Sequence, residues 1–128
     1  MGNVFKLDLG LGYNEVCNNL RRLNVATTAP TNPGTQASAD LCLETAKIIL
    51  DRGKTHGDAF DNLQDIADRW TFRLRAKGYA GPELTIADVC YFMAEMKLSR
   101  SACGNPDEPD HLVDILGYGA IGAAWLKQ

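Results

Sequence analysis

The sequence predicts an all-α domain of four to five helices behind a short extended N-terminal arm. Three observations lead there. Apolar residues recur every three or four positions over most of residues 38–126, clusters of Gly and Pro punctuate those runs, and residues able to cap a helix stand where the runs begin. A chain of 128 residues can bury one core but not two. We therefore read residues 1–35 as an arm, a helix and a linker, and residues 36–128 as one helical core domain.

Each element has its own warrant. Residues 1–12, MGNVFKLDLGLG, alternate briefly between apolar and polar and suit a short strand or an extended arm. Val16, Leu20 and Leu23 predict a helix over Tyr13 to Asn24, with Arg21 and Arg22 at its negative end. The stretch VATTAPTNPGTQ, residues 25–36, is a linker by composition. Leu41, Thr45 or Ala46, Ile48 and Ile49 predict a helix from Ser38 to Arg52, closed by Gly53.

The polar segment GKTHGD follows, and Asp58 is placed to cap a helix carrying Phe60, Leu63, Ile66, Trp70 and Leu74 as far as Gly78. After the turn YAGPEL, Thr85 and Asp88 have the spacing of a capping box, with Asp in place of Glu or Gln, ahead of a helix to Ala102. The break SACGNPDEPD precedes a last helix from Asp110 to Leu126. Its Gly117, Gly119 and Gly122 lower helix propensity but allow another helix to come close.

Composition excludes several functions. Lys and Arg number 13 against 16 Asp and Glu, a net charge of −3, whereas sequence-independent binding to duplex nucleic acid needs a basic surface. Cys17, Cys42, Cys90 and Cys103 lack zinc-ligand spacing and read as reduced thiols. No apolar run could cross a bilayer, so the expected compartment is the cytoplasm, with no membrane partner. GxSxG, P-loop and HExxH motifs are absent, which leaves covalent catalysis without support.

Several polar sets could carry chemistry. Asp110 and Asp114 share one helix face with Tyr118 a turn further on; like charges at that spacing call for a cation, either Mg²⁺ or Mn²⁺ held by oxygens or a side chain such as Lys97 or Arg100. Arg100 falls close to the apolar arc of Val89, Phe92, Met93 and Met96, where it needs a carboxylate or a phosphate. Lys54, His56 and Asp58 crowd around Gly57 just before a helix N-terminus, a place that offers free backbone N–H groups to an anion. His111 reads as a surface residue.

Taken in order, RGKTHGDAFDNLQDIADRW, ADVCYFMAEMKLSR and DHLVDILGYGAIG resemble a family of short tailed-phage proteins of unknown function. The shared pattern is a THGD turn, FxN, IAxxW, DVxxxMxxxKxxR and DxxxDxxGY, and it covers residues 44–124. That family is distantly similar to the all-α nucleoside triphosphate pyrophosphohydrolases of the MazG type, whose ExxE pair is here replaced at best by Asp65 and Asp68.

The resemblance implies a MazG-like helical bundle that uses Mg²⁺ or Mn²⁺ on a nucleotide or other phosphate-bearing small molecule. Asp58, Asp88 and Asp114 would be catalytic, and Asp58, Asp110 and Asp114 would hold the metal. Lys54, His56, Lys97 and Arg100 would bind phosphate, and Asn62 and Tyr118 the rest of the substrate. A rival expectation is a non-catalytic phage protein that sequesters a nucleotide or docks on a host protein. The small-residue stripe of the last helix and the apolar arm, Val4 to Leu11, add the expectation of a homodimer or higher symmetric oligomer.

Overall fold

The computed structural model describes residues 32–128, which form four helices and, among those residues, no strand. They are α1 (Pro33–His56), α2 (Ala59–Arg75), α3 (Ile86–Cys103) and α4 (Asp110–Trp125). The expected arm and the helix over residues 13–24 lie outside the described residues. The chain divides into two units, Met1–Ala39 and Asp40–Gln128, and the core and the site described below belong to the second.

α1 departs from expectation at both ends. It opens on Pro33, a residue whose fixed φ suits the first helical position, and it runs through Gly53 to His56. Gly53 stays helical at a cost of about 1 kcal/mol relative to Ala, and the real stop is Gly57, whose φ of +79° is open to glycine and strained for other residues. Asp58 then caps α2, its carboxylate accepting from Phe60 N at 2.8 Å and Asp61 N at 3.3 Å. Two of the four letters in THGD are thus backbone devices that turn the chain from one helix into the next.

α2 ends at Arg75, and the turn after it closes on Gly78, a second left-handed glycine with φ +92°. The loop after it is tied back where Leu84 N donates to the buried Thr71 Oγ1 at 2.9 Å. α3 begins with the expected capping box, Thr85 Oγ1 accepting from Asp88 N while Asp88 Oδ2 accepts from Thr85 N.

The core gathers Leu63, Ala67, Ile86, Val89 and Cys90, with Phe60, Ile66, Trp70, Met93, Tyr118, Ile121 and Trp125 packed around it. Most of the tertiary contact is between α3 and α4. They run antiparallel, Lys97 meeting Asp114 near one end and Cys90 meeting Gly122 near the other. A Cβ built on Gly122 would stand 3.1 Å from Cys90 Cβ, so this glycine is what lets the two backbones approach.

Candidate functional site

The apolar faces of α1, α2 and α4 do not close completely. They leave a cavity of about 210 Å³. Its walls are largely aliphatic: Ile48 and Ile49 from α1, Leu63 and Ile66 from α2, Met93 from α3, and Val113 and Ile121 from α4. Polar side chains stand among them: Arg52 and His56 at the end of α1, Asn62 on α2, and Asp110, Asp114 and Tyr118 on α4.

Helical spacing explains the convergence. On α1, Thr45, Ile48, Ile49, Arg52 and His56 fall on one face, and on α4, Asp110, Val113, Asp114, Gly117, Tyr118 and Ile121 do the same. Gly117 keeps the wall thin, with nothing nearer to its Cβ position than Thr45 Cγ2 at 4.0 Å.

Asp114 organises the electrostatics. Its side chain is only 11% exposed, and it forms an ion pair with Lys97, itself 12% exposed. Arg52 stands 3.7 Å away on the solvent side, more than half exposed. Lys97 is therefore the cation that the Asp110 and Asp114 pair called for, and it answers Asp114 from within the protein.

The other expected residues separate into those at the cavity and those elsewhere. His56, Asn62, Asp110, Asp114 and Tyr118 line it, although the sequence scatters them over three helices. Asp58 does not; its carboxylate is spent on the α2 cap, so that N-terminus is closed to an external anion. Asp88 is likewise held in the α3 capping box, away from the cavity lining. Lys54 forms an exposed pair with Asp51 at 2.7 Å.

Arg100 is solvent-exposed rather than buried. The packed side of α3 follows Ile86, Val89, Cys90, Met93 and Lys97; Arg100 shares that stripe but stands in the last turn of α3, where its side chain is exposed to solvent. His111 departs in the other direction. It is half-buried, and its Nδ1 is enclosed with no hydrogen-bond partner among the described residues. Arg52 was missed; the signal for it was a cation one turn beyond Ile48 and Ile49 on the same apolar stripe.

The donor set does not suit a protein-held Mg²⁺ or Mn²⁺. Among the described residues no three His, Cys, Asp or Glu side chains come together as a metal cluster. Of the expected trio, Asp58 is a cap and Asp114 is occupied by Lys97, which leaves Asp110 alone. Among the titrating groups, Cys90 is pushed above the usual thiol range by burial, offset in part by a hydrogen bond with the Gly122 backbone. It sits in the core, where burial favours the neutral thiol.

These features define a small helical domain with a one-sided apolar cavity and a mixed polar rim. The chain belongs to the family described as domain of unknown function DUF6378, which matches residues 41–125 and so takes in all of α2, α3 and α4 and the cavity face of α1. No curated protein and no solved structure matches it. Among the described residues, no helix is long and apolar enough to cross a membrane.

Proposed function

We propose that the cavity binds a nucleotide or a related phosphate-bearing molecule without being built around a metal. Its aliphatic walls suit a planar, weakly polar body such as a nucleobase. At about 210 Å³ it is smaller than the ~300–1,000 Å³ usual for whole drug-sized ligands, so the body would enter and the phosphates would remain at the rim. There, Arg52 supplies a fork of donors that its loose 3.7 Å contact with Asp114 leaves available, and His56 supplies a second donor.

The observation that carries this reading is the presence at one rim of polar side chains that the fold itself does not use. His56 and Asn62 make no side-chain hydrogen bond among the described residues, unlike Asp58 and Asp88, which belong to the same sequence pattern and are consumed by caps. The likeness to short tailed-phage proteins suits a binder that acts in a host cytoplasm by withholding a nucleotide.

A second reading, favoured by the two carboxylates Asp110 and Asp114 on the cavity face, is that the bound nucleotide is cut between its α and β phosphates by water, as in the MazG-type enzymes. One experiment separates the two. The full chain is titrated with a panel of NTPs, dNTPs and monophosphates with and without Mg²⁺, and each sample is then assayed for pyrophosphate. Saturable binding with the nucleotide recovered intact is the expected result. Pyrophosphate release that Asp110→Asn abolishes establishes the enzyme, and absence of both binding and release removes both readings.

A further inference from the structure

The face of α4 turned away from the cavity carries Leu112, Leu116, Gly119, Ala120 and Ala123, all exposed, and between Glu108 and Lys127 no charged residue falls on it. Leu112 is 67% exposed and Leu116 37%. A turn flanks each end of α4: His111 N donates to Glu108 O, just ahead of the N-cap Pro109, and Lys127 N donates to Ala124 O, just past the C-cap Leu126. Leu112, Leu116, Gly119 and Ala123 form one row at four- and three-residue steps, large and apolar and then small, with the acidic Glu108 in the turn before it and the basic Lys127 in the turn after it.

That row, with its flanking charges, is complementary to itself when reversed. Laid antiparallel on a copy, it sets Glu108 opposite Lys127, Leu112 opposite Ala123 and Leu116 opposite Gly119. Each large side chain meets a small one and each charge meets its opposite. A two-fold axis generates every such pair twice, which is how an isologous interface works. Gly119 has nothing within 4 Å of its Cβ position, so space exists for the incoming leucine, in contrast to Gly122, which Cys90 already fills.

We propose that this outer face of α4 binds the same face of a second copy of the chain, antiparallel, with Leu112 and Leu116 seated on the small residues of the partner helix and Glu108 paired with Lys127 across the axis. A helix that is apolar nearly all round belongs in an interior, and a second copy supplies that interior. The charged ends fix the register and make a parallel pairing unfavourable, since it would bring Glu108 to Glu108 and Lys127 to Lys127. The cavity faces the opposite side of α4 and is unobstructed in such a pair, so the inference does not depend on the nucleotide reading.

The test is sedimentation equilibrium of the full chain over low to high micromolar concentration. The expected mass is twice the 14.0 kDa of the chain. Leu116→Asp, at a position already exposed and so tolerable for the fold, should give the single-chain mass with unchanged helical circular dichroism. Glu108→Lys and Lys127→Glu should each weaken the dimer several-fold, and combining them in one chain should restore it, because the swapped charges again face each other. A wild-type monomer overturns the proposal, whatever covers the face. So does a dimer indifferent to Leu116→Asp, or a charge-swapped double variant that dimerises no better than the single ones.

Discussion

α2 and α4 are nearly equal in length and opposite in character. α2 sends Asp61, Asp65, Asp68, Arg69, Arg73 and Arg75 into solvent and keeps Leu63, Ala67 and Thr71 inside. Beyond the Asn62, Leu63 and Ile66 side chains it lends to the cavity, it is solvated scaffold, and its exposed ion pair, Arg69 with Asp65, does little beyond keeping the surface wet. α4 has only two charged side chains, Asp110 and Asp114, both on the cavity face. Of its residues only Gly122 is fully buried. A helix so apolar and so little buried in its own chain has surfaces assigned to something else: a cavity on one side and, by the proposal above, a second copy on the other. Amphipathic contrast thus marks the scaffold, and its absence marks the working helix.

The sharpest way to break that contrast is at Asp114. Replacing it with Ala strands Lys97, which is almost enclosed, and should cost about 3 kcal/mol in denaturant unfolding. The double variant with Lys97→Met should recover most of that loss. If Asp114→Ala alone unfolds at the wild-type denaturant concentration, the anchoring role assigned to this pair is wrong.

The next largest effect lies in the glycines of the same helix. Gly122→Val drives a branched side chain into Cys90 and should destabilise by about 1–3 kcal/mol. Gly119→Ala meets open space and should stabilise the single chain by roughly 0.5–1 kcal/mol through helix propensity. Thermal unfolding of the two variants reads the difference, and equal behaviour would contradict the packing described for α3 and α4.

A smaller effect is expected at the cap of α3. Asp88→Ala removes the acceptor for Thr85 N and should cost about 1 kcal/mol without altering ligand affinity, which separates a structural Asp from the expected catalytic one. A loss of binding with stability intact would return Asp88 to the site.

Smallest of all is a reactivity difference. Burial raises the Cys90 thiol above its unfolded value, so its neutral form favours the fold below that value, and the contribution fades as pH climbs through the folded one. At about pH 8.5, where a free cysteine is half ionised, iodoacetamide should label the exposed Cys42 and Cys103 well before Cys90. Prompt alkylation of Cys90 would mean that α3 and α4 separate readily.

Much of this arrangement was legible in the sequence, for identifiable reasons. The caps at Asp58 and Thr85 and the apolar periods of α2 and α3 are local signals, set by residues within one turn of each other. The pairing of Asp114 with Lys97 was legible as one of two options, because two like charges on a helix face demand a cation.

What failed was less local. The end of α1 depended on Gly53 remaining helical under tertiary packing, and the roles of Asp58 and Asp88 depended on which of two uses each carboxylate took. The wheel of α3 puts Arg100 on the stripe of Val89 and Met93, but a wheel carries no information on where along the helix the packing stops, and Arg100 lies in the last turn, in solvent. Arg52 went unnoticed because only the meeting of α1 with α4 brings it to Asp114.

The central claim, that the polar rim and aliphatic walls form one ligand site, is tested most directly by an amide NMR titration of the full chain with the tightest nucleotide from the panel. The account predicts shifts concentrated at Arg52, Gly53, His56, Gly57, Asn62, Gly117 and Tyr118, around the cavity, with the exposed α2 face of Asp65 and Arg69 unmoved. Shifts centred on that α2 face, or on Arg100 with the cavity residues silent, would contradict it.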